Sequence, residues 1–253
     1  MSIKQLASSA LVAFAALASS AANATIATVY NDFDNGLVNF NNTVAGAGAT
    51  ATHDTWTGLS FGTSIVRADY TVTKNDGGTL DPHIYTLYSS SPSRTTSGQV
   101  VSIDPYTNSG SQGHGTGDGS GSQISGVTLQ FSTAVNAIGF EVGDWSTCCQ
   151  VSDLYISFDN GTPIRVGHST IYGDGFLTNN GAGVFVAAFD DSGDFNTVQF
   201  WGDGYGEVLN MGGTIHYALL QQGSLPGVPE PASLALMGLG LAGLAAVRRR
   251  KAA

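Results

Sequence analysis

Two stretches of this chain pair reactive residue types with a spacing that known chemistry uses. Gly58-Leu59-Ser60-Phe61-Gly62 has the G-x-S-x-G spacing of a nucleophile elbow, in which a strained strand-to-helix turn exposes a serine oxygen. The residues that follow, TSIVRADYTVT, alternate as a strand does. The helix that the elbow needs is therefore not expected, and neither is catalysis at Ser60. Cys148 and Cys149 are adjacent and are the only cysteines. In an oxidising compartment three states are open to them: a vicinal disulfide, pairing between molecules, or two free thiols. The first is the expected state of Cys148 and Cys149, although it is strained, because adjacent Cα atoms lie about 3.8 Å apart, below the usual span of roughly 4.4–6.8 Å. Such a ring would stiffen its loop. No H-E-x-x-H or C-x-x-C occurs and the five histidines are scattered, so a zinc site has no support.

Gly-Asp pairs recur at Gly117-Asp118, Gly143-Asp144, Gly173-Asp174, Gly193-Asp194 and Gly202-Asp203. Carboxylates and loop carbonyls at strand ends suit a hard cation, which makes Asp144, Asp174 and Asp203 the candidates for calcium. Glycine and aspartate also populate turns for backbone reasons alone. No EF-hand spacing is present, so no cofactor is required. Asp32-Phe33-Asp34-Asn35-Gly36 and Asp190-Asp191-Ser192-Gly193-Asp194 have the same composition. Trp145, Tyr172, Trp201 and Tyr205 flank the Gly-Asp turns. Of these, Trp145, Trp201 and Tyr205 form a candidate platform for stacking on sugar rings, with Trp145 partly exposed beside the cysteine pair. Large aromatics with one polar handle equally fill sandwich cores.

An all-β body, a sandwich or jelly roll, is what must position these residues. Val127-Leu129-Phe131, Ile138-Phe140-Val142, Leu154-Ile156-Phe158 and Ile215-Tyr217-Leu219 each put apolar side chains on one face at period two. Val184-Val186 and Val198-Phe200 do so over shorter runs. Asn160-Gly161, between YISF and PIRVG, signals a type I′ hairpin. No segment between residues 25 and 220 holds a helical stripe for three turns, so no helix is expected in the body. The Gly/Ser-rich stretch 109–126 is a loop or linker. It leads into a strand at Val127, whereas a phosphate cradle leads into a helix.

Composition narrows the function. The 253 residues are 42% hydrophobic and only 11% charged, against about 25% charged in ordinary soluble domains. Nine basic residues face 19 acidic ones, for a net charge of -10, which excludes the basic stripe of a nucleic-acid binder. The ends differ from the middle. Lys4, the apolar run Leu6–Ala18 and Ala22-Asn23-Ala24 make residues 1–24 a secretory signal peptide cut after Ala24. At the other end Ala232–Val247 is uncharged and is followed by Arg248, Arg249, Arg250 and Lys251. As a helix it spans roughly 24 Å of a ~30 Å hydrocarbon core. The basic flank places that terminus in the cytoplasm, with the body outside the inner membrane. The division is thus a signal helix at 1–24, a β body at 25–227 and an anchor at 228–253. The body keeps four basic and eighteen acidic residues, a net charge of -14.

Pro229-Glu230-Pro231, the short apolar helix and Arg248, Arg249 and Arg250 resemble the PEP-CTERM sorting tail of Gram-negative bacteria. The same tail is also catalogued as an ice-binding protein C-terminal domain. The resemblance implies a substrate of exosortase, a membrane enzyme thought to recognise Pro-Glu-Pro and cut nearby, in bacteria that make exopolysaccharide. FSTAVNAIGFEVGDW followed by DLYISFDNGT resembles the β-sandwich bodies often attached to such tails; this likeness transfers no binding residue. The expected protein is exported, anchored transiently in the inner membrane and then released to the cell surface or beyond. Its expected role is structural or adhesive in the matrix, without catalysis, and its processing partners are signal peptidase and exosortase. The alternative is a carbohydrate-binding module, calcium-assisted, that takes extracellular polysaccharide; the remote one is a serine hydrolase at Ser60. Ice binding is disfavoured, because Thr71-Val72-Thr73 is a single T-x-T without a repeat.

Overall fold

The apolar members of the alternating runs meet across two antiparallel sheets. A computed structural model describes residues 25–87, 94–103, 126–145, 152–169, 183–202 and 208–226. One sheet is ordered β1 (Ile26–Asp32), β11 (Val184–Asp190), β8 (Ala137–Gly143), β13 (Leu209–Ala218), β6 (Arg94–Ile103) and β5 (Pro82–Leu87), with β2 (Thr52–Thr55) also paired to β13. The other is ordered β10 (Ile164–Ser169), β9 (Ser152–Phe158), β12 (Phe195–Gly202), β7 (Val127–Val135), β4 (Tyr70–Lys74) and β3 (Ser64–Val66). Between them lie Val127, Leu129 and Phe131, Ile138, Phe140 and Val142, and Leu154, Ile156 and Phe158, all buried as the alternation requires. Ile215 and Tyr217 join them, but β13 ends at Ala218 and Leu219 is exposed. Phe140 and Phe200 meet edge to face across the core at 4.8 Å. The body is a β-sandwich.

One helix, α1 (Phe33–Gly46), corrects the expectation of a helix-free body. Its sequence, FDNGLVNFNNTVAG, is rich in residues that favour turns. Phe33, Leu37, Phe40 and Val44 nevertheless share one face at helical spacing. Asp32 caps it by accepting the Asn35 N–H at 2.8 Å, so the first acid of the Asp32–Gly36 cluster is a cap rather than a cation ligand. Phe40 and Val44 pack with Phe185, Phe189, Ala137 and Leu220 in a second core on the outer side of the larger sheet. Gly36 allows that contact, since a Cβ there would lie within 2.4 Å of the Phe185 Cβ. Arg94 pairs with Asp34 through two 2.7 Å bonds and lies over the Phe33 ring, tying the first turn to β6.

β13 changes partners midway. Leu209–Gly212 pairs with Ile103–Val100 of β6, and Thr214–Tyr217 pairs with Thr55–Thr52 of β2. Trp56 sits at the junction, where its N–H donates to the Gly213 carbonyl and its carbonyl accepts from Gln99. Gly212 and Gly213 have φ of +148° and +71°, and a Cβ on Gly212 would strike the Trp56 ring. The β9–β10 hairpin forms as expected. Its two left-handed residues are Asp159 and Asn160, one position earlier than the Asn-Gly signal suggests.

Candidate functional site

Two neighbouring regions of the smaller sheet carry the polar groups that could meet a ligand. The first lies where β9 begins and β10 and β12 end. Asp153, on β9, has a side chain only 4% exposed, and its Oδ1 lies 2.5 Å from Nδ1 of His168 on β10. Its Oδ2 accepts the Tyr155 hydroxyl at 3.1 Å and lies 3.6 Å from Arg165. Register explains the grouping: His168 is opposite Asp153, and Arg165 is opposite Tyr155. Tyr155 in turn is opposite Trp201 of β12, and the two rings stack at 5.8 Å. A buried carboxylate can orient an imidazole for proton transfer. Here the same carboxylate also holds a tyrosine and an arginine, which fixes the sheet edge.

The second region is the rest of that outer face. Leu129, Ile156, Val198 and Val72 point inward, so their neighbours in each strand point out. Register aligns them in rows that run across the sheet. One is Ser157–Gln199–Thr128–Thr73–Ser64, and the next is Thr197–Gln130–Thr71–Val66. No charged side chain occupies either row. Thr73, Gln130 and Ser64 are exposed; Thr128, Thr71, Thr197 and Gln199 are half-buried. Side chains within the rows are linked, Ser157 to Gln199, Gln199 to Thr128 and Thr197 to Gln130, and Thr128 also donates to Asn75 just past β4. The result is an uncharged surface of hydroxyls and amides, partly oriented by their own hydrogen bonds, with the exposed Val66 at one edge and the buried Ser157 at the other.

The remaining polar clusters brace the fold. Arg67 forms two hydrogen bonds to Asp54, which also accepts the Tyr70 hydroxyl at 2.7 Å, and that hydroxyl accepts the Trp56 indole N–H at 2.7 Å. Burial and the Asp54 hydrogen bond push the Tyr70 phenol far above its ordinary range. Burial opposes charge on Asp54, but the bonds from Arg67 and Tyr70 outweigh it and hold the carboxyl below its usual value. On the larger sheet, burial pushes the Glu141 carboxyl up, against the bond it accepts from the Ser97 N–H. An open groove of about 480 Å³ between β1 and α1 is lined by Thr28, Tyr30, Asn39, Asn42 and Thr43, among others.

Two of the three members of the candidate aromatic platform, Trp145 and Trp201, are buried. Trp145 is 1% exposed, donates its indole N–H to Ser152 Oγ at 2.7 Å and meets Tyr30 edge to face. Trp201 is fully buried against Tyr155. The expected partial exposure of Trp145 is overturned and both rings take the core-filling alternative, because each has a partner for its apolar body and packs at a strand end. Tyr172, Tyr205, Cys148, Cys149, Asp174 and Asp203 lie outside the described residues, as do the signal segment, the sorting tail and all but Gly126 of the 109–126 loop. Asp144 is half-buried with φ +62°, a turn conformation. Among the described residues no group of three His, Cys, Asp or Glu could hold a metal ion, and no helix is long and apolar enough to cross a membrane. Ser60 is exposed between β2 and β3, and the chain enters β3 with no helix after it. Asp153 and His168 carry no motif in the sequence. The rows had a weak signal in Thr-x-Thr, Thr-x-Gln and Thr-x-Gln at 71–73, 128–130 and 197–199.

Residues 227–251 match the PEP-CTERM protein-sorting motif. The match includes Pro229, Glu230, Pro231, Arg248, Arg249 and Arg250, and it covers the tail alone. The motif marks an exported protein that an exosortase processes on its way to the cell surface. No curated protein matches the chain. Among solved structures, the chain is similar to a mutant from the family 29 carbohydrate-binding modules, used to probe ligand recognition. The identity is 12% and the TM-score 0.34, over 72% of this chain and 99% of that one.

Proposed function

We propose that this protein is a structural or adhesive component of the extracellular matrix, exported, held briefly in the inner membrane by its tail and released by an exosortase, with no catalysis and no cofactor. The sorting motif at 227–251 carries this reading. An acidic sandwich with its three tryptophans buried suits a passive surface role. The test is the Glu230→Ala chain in an exosortase-bearing host. It should be exported normally but remain in the inner-membrane fraction with its tail attached. Release of that variant at the wild-type level would refute the reading.

A second reading has one observation in its favour, the uncharged rows on the smaller sheet. Hydroxyls and amides in a fixed array suit the hydroxyls of a neutral polysaccharide, and they spare the ligand any charge desolvation. The binding surface in this reading is the Gln130–Thr73 region and not Trp145 or Trp201. Affinity electrophoresis in gels cast with matrix polysaccharide, with and without Ca²⁺, tests it. Wild-type protein should be retarded and the Thr73→Glu/Gln130→Glu variant should not. Equal mobility shifts would exclude this face.

A further inference from the structure

Asp191, in the turn after β11, holds the two ends of the body on one carboxylate. It is 1% exposed. Oδ1 accepts the Thr25 N–H at 2.7 Å, and Oδ2 accepts the Leu225 N–H at 2.8 Å. Its backbone repeats the pattern, with Asp191 N–H donating to the Thr25 carbonyl and Gly223 N–H donating to the Asp191 carbonyl. Thr25 directly follows the Ala22-Asn23-Ala24 cleavage signal, and Leu225 lies two residues before the sorting motif at 227. Both trimmed ends of the chain therefore converge on this side chain.

Charge makes the arrangement unusual. Among the described residues no Lys, Arg or His forms a salt bridge with Asp191, which stands in contrast to Asp54, Asp34 and Asp153. A buried carboxylate held only by neutral donors lacks the cation that normally offsets its loss of water. Signal cleavage supplies one at the required atom. Water adds across the Ala24–Thr25 peptide bond, the Ala24 carbonyl carbon leaves as a carboxylate, and the Thr25 nitrogen becomes an ammonium. That nitrogen already lies 2.7 Å from Asp191 Oδ1.

We propose that Asp191 is the built-in receptor for the α-ammonium group that signal cleavage creates at Thr25. Removal of the leader thus converts a neutral hydrogen bond into a buried ion pair, which locks β1 and the exit to the sorting tail together. The proposal rests on the signal-peptide reading of residues 1–24. It makes maturation a stabilising event, and it gives the body a reason to begin at Thr25.

The test uses full chains exported from a Gram-negative host and purified after cleavage. N-terminal sequencing should begin at Thr25; a different N-terminus would refute the cleavage reading and the proposal together. With Thr25 at the terminus, acylation of its α-amine at pH 8 is timed against Lys74 in the same protein. An opposite charge nearby holds an amine protonated to higher pH, so at pH 8 labelling should be about fourfold to a few hundredfold slower than in Asp191→Asn. Equal rates would overturn the ion pair while leaving the cleavage site intact. A second variant, with one alanine inserted after Ala24, displaces the ammonium without touching Asp191. Its new α-amine should label at the rate of an exposed amine and its denaturation midpoint should fall. Slow labelling and an unchanged midpoint in that variant would also overturn the proposal.

Discussion

On β11 both sides of the strand are apolar, with Val184, Val186 and Ala188 facing the sandwich core and Phe185, Ala187 and Phe189 facing outward. On β7, and on β12 as far as Gln199, the inner side is apolar and the outer side carries Thr128, Gln130, Thr197 and Gln199; beyond them Trp201 is buried against Tyr155. The first pattern requires a cover, and α1 supplies it. The second leaves a face open to water, and that face holds the uncharged rows. The two outer surfaces thus have the same strand geometry and opposite fates, set by the alternate residue. A continuous apolar run marks burial on both sides, and strict alternation marks burial on one.

Removing the main contact between α1 and the larger sheet should have the largest effect. Phe40 is fully buried between Phe185 and Phe189, so Phe40→Ala should cost about 3–5 kcal/mol in urea unfolding. A loss below about 1 kcal/mol would mean that α1 lies on the sheet without stabilising it. Gly36→Ala comes next. In an isolated helix alanine gains about 1 kcal/mol over glycine. Here its Cβ would strike Phe185, so a loss of about 1–3 kcal/mol is expected. A gain in stability would show that the helix does not dock at this residue.

A pH titration sharpens the covered side further. His216 lies among Phe40, Phe185 and His53, and burial first, then His53, lowers its pKa from 6.5 to about 4. The unfolded chain takes up this proton before the folded one does. Its contribution to stability is therefore fully present above about pH 6.5 and lost as pH falls toward about 4. His216→Gln should flatten the stability–pH profile in that window, as followed by thermal melts; an unchanged slope would contradict the burial. The smallest effect belongs to the open face. Gln130→Lys should change stability by no more than about 0.5 kcal/mol. A loss above about 2 kcal/mol would mean that the face is covered after all.

What the sequence makes legible follows from range. Period-two runs such as Val127-Leu129-Phe131 depend only on local alternation, and they are buried as expected except at Leu219, just past the end of β13. α1 is hidden because Asn and Gly dominate its exposed side, while its stripe of Phe33, Leu37, Phe40 and Val44 is narrow. The VFVAAF run of β11 holds the complementary signal, since outward Phe185 and Phe189 need a partner. The rows are only faintly legible, in the Thr-x-Thr and Thr-x-Gln pairs, because Thr73, Thr128 and Gln199 become neighbours only through register between strands distant in sequence. Trp145 and Trp201 show the converse limit. Proximity to Gly-Asp turns in sequence does not reveal on which side of the backbone a ring packs. Asp191 is visible in the sequence as one acid in a turn; its value comes from the convergence of Thr25 and Leu225.

The proposed function requires a body carried through the membrane and released by cleavage at its tail. Intact-mass measurement on protein recovered from the surface of exosortase-bearing cells reads both cuts at once. The expected chain begins at Thr25 and lacks Arg248, Arg249, Arg250 and Lys251. A mass that retains those four residues in surface-released protein would contradict it.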